Sequence, residues 1–87
     1  MTVGQNTIRE KLKISPEEFM EMGRVGAMYY QQGSFDKARK IFEGLVELDP
    51  ESADAHSALG ALLTFQQQDE QALLHLRKSV EINPSQI

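Results

Sequence analysis

Residues 22–50 read MGRVGAMYYQQGSFDKARKIFEGLVELDP, and residues 56–84 read HSALGALLTFQQQDEQALLHLRKSVEINP. An offset of 34 residues superimposes Gly26 on Gly60, Ala38 on Ala72 and Pro50 on Pro84. Apolar positions follow: Val25 on Leu59, Phe42 on Leu76, Val46 on Val80 and Leu48 on Ile82. Matching small residues and prolines are not explained by amphipathic periodicity alone, so the chain contains an internal duplication.

Each unit divides into two helices. Ser15-Pro16-Glu17-Glu18 opens the first, with Ser15 as cap, Pro16 in the turn where its missing N–H is harmless, and Glu18 closing a capping box. This helix is predicted to run to about residue 32, where Gly33 supplies a left-handed stop. Ser34 is expected to cap a second helix over 35–48, ended by Asp49-Pro50 because proline disfavours helical geometry in the residue before it. Ser52 starts the second unit, whose helices end near Phe65 and Ile82, with Gln67-Gln68-Asp69 as a turn that lacks the glycine. Strand-type alternation is absent, so the fold class is all-α. The chain thus divides into an N-terminal segment 1–14, a first helix–turn–helix over 15–50, and a second with a short tail over 51–87. Ile8, Leu12 and Ile14 suggest a short extra helix covering the first unit.

Gly26, Ala38, Gly60 and Ala72 are small where helices must cross closely. Val25, Tyr29, Phe42, Leu45, Val46 and Leu48 are expected to fill the first unit, and Leu59, Leu63, Leu76, Val80 and Ile82 the second.

These residues resemble the tetratricopeptide repeat, W-x2-L-G-x2-Y…A-x3-F…P over 34 residues. The first unit reads Met22-x2-Val25-Gly26-x2-Tyr29, Gly33, Phe35, Ala38-x3-Phe42, Pro50. The second reads His56-x2-Leu59-Gly60-x2-Leu63, Ala72-x3-Leu76, Pro84. The two units depart from the pattern at Met22 and His56 for the large aromatic, at Leu63 for the tyrosine, and at Gln67 and Asp69 for the glycine and aromatic of the turn. The resemblance implies a right-handed superhelical array of antiparallel helix pairs, with the first helices of the units lining a concave surface.

Composition narrows the function. The chain of 87 residues has no cysteine, which removes disulfides, thiolate metal sites and a cysteine nucleophile. Nine Lys and Arg against 13 Asp and Glu give a net charge of -4 without a basic cluster, so a nucleic-acid partner is not expected. No apolar run approaches the ~20 residues of a membrane helix, and no leader-like stretch opens the chain, so membrane insertion is not expected and the placement is cytoplasmic. Phosphate-loop, zinc and calcium motifs are missing. Glu17, Glu18 and Glu21 cluster where a helix start favours negative charge. His56 stands at the position of the family's large aromatic and is read as half-buried packing; His75 is read as solvated on the outer face of the last helix. Ser57, Ser79, Thr64 and Tyr30 have no evident activating base. No catalytic residue, cofactor or metal ligand is assigned, and an enzyme is not expected.

Carried over by register, the concave face comprises Met20, Gly23, Arg24, Ala27 and Tyr30 from the first unit and Asp54, Ser57, Ala61 and Phe65 from the second, with Ala58 expected to pack between units. Small residues admit a close-lying peptide or helix, while Met20, Tyr30 and Phe65 offer larger contacts. Family members that grip the carboxylate end of heat-shock proteins use Lys and Asn here. This chain has Gly23, Ala27 and Ala58, with only Arg24 positive, so a dicarboxylate clamp is not expected. The acidic, cysteine-free chain and its YYQQGSFDKARKIFEGLVELDP unit also resemble the small tetratricopeptide chaperones of bacterial type III secretion, which hold apolar segments of needle or translocator subunits. The expected function is therefore non-enzymatic binding of a peptide, helix or apolar segment of a partner protein, with a secretion chaperone as one form of it. Leu73 and Leu74, on a final helix without a polar cap, make homo-oligomer contacts and a self-assembling structural role the competing expectation.

Overall fold

A computed structural model describes residues 7–86. Five α-helices follow one another: α1 Ile8–Lys11, α2 Pro16–Gln31, α3 Phe35–Leu48, α4 Ala53–Phe65 and α5 Asp69–Ile82, before a 3-10 turn at Pro84–Gln86. No strand occurs among the described residues. Helix α2 pairs with α3 and α4 with α5, while α3 packs on α4 to join the two pairs. The repeat predicted at an offset of 34 is therefore a repeat of antiparallel helix pairs.

Local chemistry sets the boundaries. Ser15 Oγ accepts from the Glu18 N–H at 3.0 Å while the Glu18 carboxylate accepts from the Ser15 N–H at 2.8 Å, a reciprocal box that satisfies two orphan donors. Thr7 and Glu10 build the same box on α1. Ser52 Oγ accepts from the Ala55 N–H at 3.2 Å. Ser34 departs from expectation, since its side chain makes no capping bond to α3. Its backbone N–H instead closes the end of α2 by donating to Tyr29 O at 2.9 Å, and Gly33 N–H donates to Tyr30 O at 3.1 Å.

That pair of bonds recurs at the ends of α4 and α1. Gln68 N–H donates to Leu63 O and Gln67 N–H to Thr64 O; Ile14 N–H donates to Arg9 O and Lys13 N–H to Glu10 O. All three are Schellman endings with a left-handed residue at the pivot: Gly33 at φ +82°, Gln67 at +63° and Lys13 at +57°. Only one pivot is a glycine. The turn after α4 is thus the same device as the turn after α2, written without the residue that advertises it.

The core is Phe19, Ala38, Phe42, Leu45, Ala55, Leu59, Leu62, Leu63 and Ala72. Gly26 and Gly60 lie where paired helices cross. A Cβ on Gly26 would stand 2.5 Å from Phe42 Cε1, and one on Gly60 would stand 2.7 Å from Leu76 Cδ2. Three residues expected inside, Val25, Leu76 and Val80, are exposed. Among the described residues, the outer sides of α2 and α5 have no neighbouring helix like the one that α4 provides for α3. At the other end, Ile8 and Leu12 remain exposed while Ile14 packs on the core. Helix α1 is tied down instead by Arg9, which binds Asp49 at 2.8 Å and lies 4.4 Å from the centre of the Phe19 ring.

Candidate protein-binding groove

Helices α2 and α4 are the first helices of their pairs, and an open groove of about 650 Å³ runs between them. Met20, Gly23, Arg24 and Ala27 project into it from α2 at spacings that recur on one helical face. Asp54, Ala55 and Ala58 line the opposing side from α4, while Phe19, Phe42 and Leu45 form the floor. Arg9, Asp49 and Glu51 close one end. The groove therefore combines an apolar floor, small walls and a charged end. Arg24 pairs with Glu21 at 3.4 Å, but both side chains are exposed and such a pair is worth little.

The structure gathers five of the expected face residues in this groove: Met20, Gly23, Arg24, Ala27 and Asp54. Ala58, expected to pack between units, lines the groove as well as touching the core. Tyr30 and Phe65 lie apart from it. They form a three-ring cluster with Phe35, with ring centres 5.6 Å apart for Tyr30–Phe35, 6.1 Å for Tyr30–Phe65 and 4.6 Å for Phe35–Phe65. Edge-to-face contacts of this kind hold rings in place. Phe65 nevertheless keeps an exposed face, whereas Tyr30 is half-buried.

Ser57 does not line this groove. Its Oγ accepts from Ser79 Oγ of α5 at 3.3 Å, which turns it toward its own pair. Gly23, at the same repeat position in α2, remains in the groove because it has no side chain to turn away; its Cβ would lie an ordinary 3.7 Å from Leu45 Cδ1. Ala61 is exposed outside the groove, and Leu73 and Leu74 are exposed on α5. Arg9 was not anticipated, because the sequence of α1 contains no repeat that would place it against Asp49, 40 residues away. Phe35 carried a signal in the motif but was assigned no contact role.

The histidines also depart from expectation. His56 is buried, and His75 is half-buried against it rather than solvated. Their Nδ1 atoms are 3.0 Å apart, and His56 Nε2 lies 2.8 Å from Pro50 O. A carbonyl only accepts, so His56 Nε2–H donates to it, and His56 Nδ1 accepts from His75 Nδ1–H. The pair joins α4, α5 and the turn after α3. Burial, then the neighbouring His56, lower the His75 pKa, opposed by the Glu43 carboxylate. The unfolded chain thus protonates His75 more readily than the folded one. Its contribution to stability is present above the ordinary histidine value of about 6.5 and declines as pH falls below it. Thermal unfolding is expected to show a drop in midpoint as pH falls below about 6.5 that is flatter in His75→Gln, whose amide can still donate to His56. Equal slopes in the two proteins would count against this assignment.

Among the described residues, no group of three or more His, Asp or Glu side chains is arranged to hold a metal ion, and no helix is long and apolar enough to cross a membrane.

Residues 26–64 match the family described as TPR repeat. Cell division cycle protein 27 homolog A of Arabidopsis thaliana is 32% identical over 53 residues, 61% of this chain and 7% of that protein. A chain of the CopN–Scc3 complex superimposes with a TM-score of 0.89 and 24% identity over 95% of this chain. The type III secretion translocator chaperone SycD of Yersinia enterocolitica does so with a TM-score of 0.82 and 23% identity over 90%. The chain spans 49% and 58% of the lengths of these two solved chains. They share its fold, the right-handed superhelical stacking of antiparallel helix pairs. Repeat register, helix packing and the match over residues 26–64 agree: the chain is an all-α array of antiparallel helix pairs whose central stretch is similar to the TPR repeat.

Proposed function

We propose that this chain is a non-enzymatic protein-binding module that holds an apolar or amphipathic segment of a partner protein, in the manner of a type III secretion chaperone for a translocator or needle subunit. The observation that carries this reading is the groove between α2 and α4. Its apolar floor can bury side chains, while Gly23, Ala27 and Ala58 leave space for a partner backbone to approach. The likeness of fold to SycD, a type III secretion translocator chaperone, favours this form over a general adaptor.

Synthetic segments of translocator and needle subunits, titrated into the chain by calorimetry, provide the test. Ala27→Trp should fill the groove and weaken binding at least roughly tenfold with helicity unchanged. Glu47→Lys, on the exposed back of α3, should change little. Undiminished binding by Ala27→Trp would remove the groove as the site.

A further inference from the structure

Resting on the groove reading, we infer that the place Arg9 takes at the groove end is a seat for an arginine side chain of the bound segment, which the chain fills with its own Arg9. Asp49 and Phe19 build the seat, and both line the groove. Asp49 Oδ1 accepts from the Glu51 N–H at 3.1 Å, which holds the carboxylate in place and leaves Oδ2 to meet the guanidinium at 2.8 Å. The guanidinium carbon lies over the buried Phe19 ring, 4.4 Å from its centre. A planar guanidinium can bond a carboxylate and lie over a ring at once, which an ammonium does less well. The side chains of Arg9 and Asp49 are 22% and 18% exposed, so water screens this pair far less than Arg24–Glu21 at 69% and 67%.

The second repeat shows that the turn itself does not need this charge. Asn83 stands where Asp49 does in register, and its Oδ1 accepts from the Ser85 N–H at 3.3 Å as Asp49 Oδ1 accepts from Glu51. Both also close their helices alike, Asp49 N–H donating to Leu45 O at 3.0 Å and Asn83 N–H to Ser79 O at 2.9 Å. An amide therefore serves the turn, and the carboxylate at 49 is explained by the cation it binds. Ala53 stands where Phe19 does, so the second repeat lacks the ring as well. Helix α1 holds Arg9 in the seat only lightly. It has four residues, none of them buried, and its capping box joins Thr7 to Glu10 within it. Ile8 and Leu12 are exposed, so what ties it down is Arg9, with Ile14 just beyond. An element with so little buried opens at small cost, and a segment with an arginine beside its apolar residues can take the seat instead. With Arg9 moved out, this end presents the carboxylates of Asp49, Glu51 and Asp54, while the other cation of the groove, Arg24, stands beside Glu21.

N-acetylarginine amide is the probe, titrated into Arg9→Gln and followed by nuclear magnetic resonance. Circular dichroism checks that this variant folds, and Arg9→Lys takes its place if it does not. The probe should bind with a dissociation constant on the order of millimolar and move the signals of the Phe19 ring and the Glu51 amide. The wild-type chain, whose own Arg9 competes, should bind it at least roughly tenfold more weakly. Adding Asp49→Asn, which keeps the acceptor for the turn but not the charge, should abolish binding. N-acetyllysine amide should bind more weakly than the arginine probe. No binding to Arg9→Gln, equal binding to the wild type, binding that survives Asp49→Asn, or equal binding of the lysine probe would each overturn the seat. The segment is tested by making a groove-binding peptide with arginine or with neutral citrulline at either flank. Arginine at one flank should bind Arg9→Gln at least roughly tenfold more tightly than citrulline there, and no preference at either flank would overturn the partner's share of the proposal. The probe is too small to fill the groove, so its failure leaves the groove reading standing, and failure of the Ala27→Trp test leaves the seat standing.

Discussion

Gly60→Leu is expected to lower the urea midpoint of unfolding more than any change of similar size on the surface, by about 3 kcal/mol in stability. A leucine should help α4 on propensity alone, since an interior glycine costs a helix about 1 kcal/mol relative to the best helix formers. Geometry outweighs that gain. The first added carbon would lie 2.7 Å from Leu76 Cδ2, 2.8 Å from Leu76 Cγ and 3.4 Å from Ala72 O, and three more heavy atoms must follow it into the crossing. Leu76 can move, being partly exposed, but the Ala72 carbonyl belongs to the backbone of α5 and moves only if the helices separate. Gly44 provides the contrast. It also lies inside a helix, yet an added Cβ there meets nothing within 4 Å, so Gly44→Ala should stabilise by roughly 1 kcal/mol. Chemical denaturation followed by circular dichroism distinguishes the two. A Gly60→Leu protein as stable as the wild type would mean that the close crossing of α4 and α5 is not required by the fold.

The fold was legible because its determinants are local or periodic. The 34-residue register, Pro50, Pro84 and the Ser15–Glu18 box each act on neighbouring backbone, and each left a mark in the residue string. The turn after α4 was less visible because Gln67 occupies the left-handed pivot that Gly33 fills in the first unit. The bonds made by Leu63 O and Thr64 O hold the conformation, and the residue at the pivot tolerates it. The histidine pair is less visible because His56 and His75 stand 19 residues apart on different helices. Their repeat equivalents, Met22 and Ile41, both pack on the core of the first unit, so register alone could have brought the two rings together. Arg9 lay beyond such reasoning. Its place at the groove end depends on α1 folding back to Asp49, a single long-range contact with no repeat to reveal it. The groove was therefore readable along its walls and not at its end. The exposed stripe on α5 is the converse case: Leu76 and Val80 carry core-type residues, and only three-dimensional burial tells a core from an end.

Leu62→Ala and Met28→Ala, one change made at one repeat position in each unit, are expected to have sharply different consequences. Leu62 is wholly buried between α4 and its neighbours, so truncation removes contacts and leaves a cavity that surrounding helices fill only in part. The expected cost is about 3 kcal/mol, a large share of what a chain of this length can hold. Met28 is exposed, and its truncation should cost less than about 1 kcal/mol in the monomer. Urea titrations measure both values. The difference then passes to function. Loosening at Leu62 disturbs the seat of α4, which carries Asp54, Ala55 and Ala58, so the groove should bind its segment more weakly in proportion to the lost order. Met28→Ala should leave the groove intact, because Met28 does not line it. Should Met28→Ala destabilise the chain as much as Leu62→Ala does, the outer face of α2 would be covered, against the exposure seen at Met28.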